Sequence, residues 1–235
     1  MGAVIILGVE TATLQVGCAL GGVEGVLASF TATRGRRHAE TLVPAVDFVC
    51  RSAHIDLDEV SVVAVDVGPG LFTGLRVGVA AAKAFAQALR VPMVGLSSLD
   101  LLAFPLQHAG SLIGTVLDAR RGEVFCSLYR PVPGGVQRVA GPRVCSPGEL
   151  ASELMATGED CLLVGDGALR YAAAFNDARH LELADGAFAH PSPAALVQLA
   201  HARAVREEFV QPSELEPLYL RKADAEINWE RQRSA

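Results

Sequence analysis

The residues best placed for chemistry lie in the run Gly68-Pro69-Gly70-Leu71-Phe72-Thr73-Gly74-Leu75-Arg76-Val77-Gly78, which joins an apolar strand (61–67) to an Ala-rich helix. Glycine removes the Cβ and admits positive φ, Pro69 fixes one φ, and the start of the helix offers unpaired N–H groups with partial positive charge. Two readings follow. The loop can cradle an anion with Gly68, Gly70, Thr73, Gly74 and Arg76, or its glycines can let the helix lie close on the sheet. No Gly-Lys-Ser/Thr ending is present to reach a terminal phosphate. Gly68, Gly70 and Gly74 are also spaced one residue too wide for a dinucleotide fold.

Carboxylates supply the other candidates. Glu10 closes the first strand and Asp66 stands directly before the glycine loop. A pair of this kind can hold a hydrated magnesium ion, or each member can cap a turn. Asp118-Ala119-Arg120-Arg121-Gly122-Glu123 joins two strands and carries both charge signs, so Asp118 and Arg120 are either solvated hairpin charges or part of a polar cleft. His38-Ala39-Glu40 lacks a second His three or four residues on, and no metal site is expected there. Ser97-Ser98 has no partner His at a diagnostic spacing, so a serine nucleophile is unsupported. Five cysteines stand singly, an odd count that cannot close into a full disulfide set, and buried thiols are expected. No catalytic residue, metal or cofactor is predicted.

These residues must be carried by a folded chain, and 235 residues with 51% hydrophobic and 20% charged side chains can bury a substantial core. The first apolar run meets Glu10 too soon to span a bilayer and lacks the basic start of a secretory signal, which predicts a cytoplasmic protein with no membrane partner. A net charge of −6 argues against gripping nucleic acid alone, because neutralising phosphates needs a basic surface.

Three strand-like segments (4–10, 14–20, 25–31) with turn-sized links predict an antiparallel meander. A helix over 39–53 follows, then the strand to Val67, the glycine loop, a helix over 75–89 and a short strand near 91–95. This β-β-β-α-β-α-β order is the signature of a ribonuclease H-like half-domain. Strands near 112–118, 122–129 and 136–144, a capped helix after Ser146, a strand over 160–165 and a helix over about 192–208 predict a second, trimmed copy. The expected division is 1–100 for the first, partner-binding lobe and 101–235 for the smaller α/β lobe, with the last helix packing back on the first. The helix after the glycine loop has small residues on almost every face, unlike a charged surface helix. Val77, Ala80, Ala81, Ala84 and Ala88, with Leu42, Val46 and Val49 of the preceding helix, are expected to form an interface.

Gly68 to Gly78, with His38-Ala-Glu-Thr-Leu-Val-Pro44 before it, Asp118-Ala-Arg-Arg-Gly-Glu-Val-Phe125 after it and Ile6-Leu-Gly-Val-Glu-Thr-Ala-Thr13 at the start, resembles the TsaB (YeaZ) family. The resemblance covers the first lobe well and the second loosely. It implies the actin-like ATPase and sugar-kinase fold of two ribonuclease H-like lobes, and a part in making threonylcarbamoyladenosine beside the anticodon of tRNAs that read A-starting codons. It further implies a non-catalytic subunit that pairs with a TsaD-like catalytic subunit, joined by a TsaE-like ATPase, meeting tRNA only within the complex and forming a homodimer when alone. Glu10 stands where many members have Asp, which weakens the alternative of an ATP- and magnesium-dependent phosphotransferase. A glycoprotease-like metallopeptidase is the remote third reading, and the chain lacks a His-x-x-x-His pair around His38.

Overall fold

A computed structural model describes residues 4–33, 38–176 and 178–221. Five strands form the first sheet: β1 (Ile5–Glu10), β2 (Val16–Gly22), β3 (Gly25–Ala32), β4 (Val62–Gly68) and β5 (Met93–Ser97). Their order is β3-β2-β1-β4-β5. β1 runs antiparallel to β2 and parallel to β4, and β4 runs parallel to β5, so a meander is extended by two crossover strands. Alternation along β1 divides its side chains between two cores. Leu7 and Val9 face α1 (His38–Ala53) and α2 (Phe72–Leu89), whereas Ile6 faces α6 (Pro193–Val205) across Leu196, Val197 and Ala200. Both faces are covered, which is why β4 carries an unbroken apolar run from Val62 to Val65.

The second sheet repeats the plan with β6 (Leu112–Arg120), β7 (Glu123–Val132), β8 (Gly135–Cys145), β9 (Cys161–Val164) and β10 (Leu181–Leu183). Its order, β10-β9-β6-β7-β8, is the first sheet's order read from the other edge, with the same antiparallel and parallel pairings about the first strand. α4 (Pro147–Thr157) starts at a capping box in which Ser146 and Glu149 satisfy each other's backbone amides, and it covers one face through Leu150 and Leu154. α5 (Asp166–Arg170) follows β9 as α2 follows β4. Between the sheets, α3 (Ser98–Ala103) sends Leu99 and Leu102 into the second core and Leu101 toward the first.

Leu42, Val46 and Val49 are not interface residues. They are 1%, 3% and 0% exposed and belong to the core under α1, because their i, i+4, i+7 spacing is the stripe turned to the sheet. The solvent side of α1 carries Val43 and Phe48 instead, 58% and 52% exposed. α2 begins at Phe72 rather than Leu75, so half of the glycine run is helix. The helix that follows β9 ends at Arg170, and α3 and β10 were not foreseen.

Candidate functional site

Glu10 and Asp66 end the adjacent parallel strands β1 and β4, and both are buried (0% and 1% exposed). Glu10 Oε1 accepts the Ala12 amide at 2.7 Å, and its other oxygen faces the Gln15 amide at 3.5 Å. Asp66 Oδ1 accepts from the Gly68 amide at 2.7 Å and from Ser98 Oγ at 2.6 Å. Asp66 Oδ2 is buried with no hydrogen-bond partner among the described residues. Burial pushes Glu10 well above the usual carboxylate range, and the negative charge of Asp66 adds to it. Asp66 is pushed up to about 7, again first by burial, against the hydrogen bonds from Ser98 and Gly68. Burial thus shifts both carboxyls toward their protonated forms.

The glycine loop is filled by its own chain. A Cβ at Gly70 would lie 2.2 Å from the Ala12 carbonyl oxygen, and one at Gly74 would lie 2.1 Å from that of Thr11. The turn after β1 thus occupies the hollow in front of α2, held by Leu71 N–H donating to the Ala12 carbonyl at 2.7 Å and Thr11 Oγ1 donating to the Gly74 carbonyl at 2.8 Å. Gly68 takes a φ of +105°, and its peptide bond to Pro69 is cis. Thr73 is exposed, and Arg76 is engaged elsewhere. The guanidinium of Arg76 lies 3.9 Å from the centre of the Phe72 ring, and its Nε donates to Tyr219 Oη at 3.4 Å. His38 closes the corner, with its ring nitrogen 2.9 Å from the Thr13 carbonyl oxygen.

Asp118 and Arg120 meet at the equivalent place in the second sheet, where β6 ends. Asp118 is buried; its Oδ1 accepts the Arg120 amide at 2.9 Å and Tyr171 Oη at 3.2 Å. Its Oδ2 pairs with the guanidinium groups of Arg120 and Arg170 at 3.2 and 3.5 Å. Asp166, at the start of α5, accepts the Asp118 amide at 3.0 Å. Burial raises Asp166 and lowers the neighbouring His190, whose Nδ1 is buried without a partner among the described residues. Glu10 with Asp66 and Asp118 with Arg120 are thus two clusters, one per sheet. Gln15 links the first cluster to the segment before α6 by donating to the Pro191 carbonyl at 2.9 Å, next to His190. Gln15, Asp166 and His190 escaped the sequence reading, and Ser98 entered it only as a nucleophile without a partner. Asp166 alone had a signal, since it follows a strand and stands next to a glycine at the start of a helix.

Two copies of one five-stranded mixed-sheet plan, with carboxylates at matching strand ends, define a two-lobed α/β protein. Residues 25–229 match the family model described as TsaD, tRNA N6-adenosine threonylcarbamoyltransferase. The chain is 36% identical over 225 residues to the uncharacterized protein ML0378 of Mycobacterium leprae, covering 94% of this chain and 56% of that one. It therefore spans little more than half the length of that relative. It is 28% identical over 226 residues to the tRNA threonylcarbamoyladenosine biosynthesis protein TsaB of Bacillus subtilis, covering 95% and 97% of the two chains. The solved structure of YeaZ from Pseudomonas aeruginosa superposes with a TM-score of 0.81 at 26% identity, covering 92% of this chain and 100% of that one. The chain belongs to the TsaB (YeaZ) family of tRNA threonylcarbamoyladenosine biosynthesis proteins. Among the described residues, no helix is long and apolar enough to cross a membrane.

Proposed function

We propose that this chain is a non-catalytic subunit of the threonylcarbamoyladenosine pathway that pairs with a TsaD-like transferase subunit through α1 and α2. The observation that carries this reading is the outward face of those helices. Ala80, Ala84 and Ala88 of α2 are exposed, Val77 and Ala81 are half-buried beside them, and Val43 and Phe48 of α1 are exposed apolar side chains. Small residues admit a close helix approach, and the larger apolar ones supply area to bury. Val43 and Phe85 line one groove where the two helices meet.

The choice of partner rests on shared fold. The family model that matches this chain is that of the transferase, and a transferase from Geobacter metallireducens is 32% identical over 133 residues, covering 43% of this chain. A partner of the same fold offers the same helix face, so two such chains can join about a pseudo-twofold axis, and two copies of this chain can do so when alone. Within this reading a TsaE-like ATPase and tRNA join through the assembled pair. The glycine loop, filled by the turn after β1, fits a subunit that leaves the chemistry to its partner.

Ala84→Arg is the test, made beside Ala80→Glu on the same face. Co-expression with the host's TsaD-like subunit should yield a 1:1 complex for the parent and separate, folded chains for both variants, with unchanged melting temperatures. A complex that survives both substitutions removes α2 from the interface and overturns the reading.

A further inference from the structure

Two of the five cysteines lie against each other. Cys126 on β7 and Cys145 at the end of β8 bring their Sγ atoms to 3.4 Å, and both thiols are free. Cys126 stands opposite Arg143 and Cys145 opposite Val124, so the thiols approach diagonally across the hairpin. Cys126 is buried, 1% exposed, among Leu150, Ala151 and Leu154 under α4. Cys145 is only half-buried, at the junction where Ser146 caps α4. One sulfur can therefore meet a small solute while the other waits behind it.

Charge is arranged to favour that order of events. The Cys145 thiol is lowered to about 7, first by the hydrogen bond from Cys126 and then by the Arg143 guanidinium, against burial and the negative charge of Glu149. Cys126 is pushed up by the same contact and by burial. Arg143 and Glu153 of α4 form an ion pair that sets the guanidinium beside the sulfurs. Cys18 and Cys161 lie in apolar cores and are each pushed up to about 12, so they offer almost no thiolate near neutrality.

We propose that Cys126 and Cys145 form a dithiol oxidised by small hydroperoxides, with Cys145 as the attacking sulfur and Cys126 as the resolving one. The Cys145 thiolate attacks one oxygen of hydrogen peroxide, the O–O bond breaks, and hydroxide leaves and takes up a proton to become water. Cys145 is then a sulfenic acid. The Cys126 sulfur attacks it, the S–O bond breaks, and the oxygen departs as water with the Cys126 proton. Two thiols have lost two electrons and the peroxide has gained them. The sulfurs must close from 3.4 Å to about 2.05 Å, which for a diagonal pair draws β7 and β8 together as the side chains turn. The product ties the end of β8 to β7 at the foot of α4.

The full chain, reduced, exchanged into buffer at neutral pH and exposed to stoichiometric hydrogen peroxide, reads the proposal directly. Before alkylation the intact parent should weigh about 2 Da less, two hydrogen atoms, and after alkylation under denaturing conditions it should carry alkyl groups on three of its five cysteines. Digestion with trypsin and glutamyl endopeptidase should join the peptide containing Cys126 to the one containing Cys145, and leave Cys18, Cys50 and Cys161 alkylated. Cys145→Ser, altered at a half-buried site outside the core, should stay fully reduced at the same dose. Cys126→Ser should stop at a Cys145 sulfenic acid that dimedone traps. Full alkylation of both cysteines in treated parent overturns the proposal, and so does a Cys145→Ser chain that oxidises as fast as the parent.

Discussion

Ser98 Oγ donates a 2.6 Å hydrogen bond to Asp66 Oδ1 where α3 begins beside the end of β4. The Gly68 amide shares that oxygen, and the other Asp66 oxygen has no partner among the described residues. A carboxylate buried in this way is destabilised by desolvation more than two donors to one oxygen can offset. The carboxyl pair accordingly behaves as a stored proton, and this has a measurable consequence for stability.

Asp66 has its pKa raised from 3.8 to about 7. In that window the folded chain keeps a proton that the unfolded chain has released, so stability falls as pH rises. The contribution is fully present below about pH 4 and lost above about pH 7. Urea unfolding of the parent and of Asp66→Asn from pH 4.5 to 8 should show the difference between the two moving in favour of the variant by about one proton's slope. Curves that stay parallel across the range refute the stored proton. Glu10, raised by burial and by Asp66, should act in the same direction in Glu10→Gln.

The glycine loop makes a second, purely steric prediction. Gly74→Ala places a Cβ 2.1 Å from the Thr11 carbonyl oxygen. Either α2 or the turn after β1 has to shift, and overpacking of this kind costs about 1–3 kcal/mol. Gly141→Ala on β8, where an added Cβ meets nothing within 4 Å, is the control and should fall within about 0.5 kcal/mol of the parent. Equal denaturation midpoints for the two variants would remove the close-packing account of the loop.

The sequence made the two sheets readable because their strands are apolar runs set apart by turn residues, and because each meander is followed by a helix and a parallel strand. Which side of a helix faces the sheet was harder to read. The stripe of Leu42, Val46 and Val49 is equally apolar whether it meets strands or a partner, and only the structure shows that it is inside. Phe72-Thr73-Gly74 looked like loop because Gly74 is a poor helix former, yet its contact with Thr11 draws it into the first turn of α2. Gln15 gave no signal, and nothing near Ser98 pointed to its bond with Asp66. Each is one polar residue whose partner lies far along the chain, 32 residues away for Ser98 and 176 for Gln15, and no local pattern encodes such a contact.

After Pro212 the chain still feeds the core, since Leu215 is 4% exposed and sits beneath β4 and β5. Leu218 donates its amide to the Val67 carbonyl at 2.7 Å, Tyr219 packs on Phe72, and Arg221 reaches Glu123 at 2.9 Å. This segment therefore spans from the first lobe to the second over the glycine loop. Leu215→Ala should cost about 2–5 kcal/mol, as for other buried leucines. Tyr219→Ala, which removes a 44% exposed ring, should cost no more than about 1 kcal/mol. Comparable losses from both, measured by chemical denaturation, would mean that the segment is held along its length rather than anchored at Leu215.

Gln15 ties the turn after β1 to the segment leading into α6, since its amide donates to the Pro191 carbonyl and faces Glu10. The bond to Pro191 satisfies a part-buried carbonyl, and its loss is expected to cost about 0.5–1.5 kcal/mol at any pH. The contact with Glu10 adds a pH-dependent part, because it favours the ionised carboxylate and so lowers a pKa that burial raises. Gln15→Ala should therefore raise the Glu10 pKa further and should be more destabilising at high pH than near pH 5. Chemical denaturation at pH 5 and pH 9 measures this difference. Combining the variant with Glu10→Gln should remove the pH-dependent part and leave the constant cost of the Pro191 contact. A double variant that keeps the full pH dependence would show that the effect arises outside the Gln15–Glu10 pair.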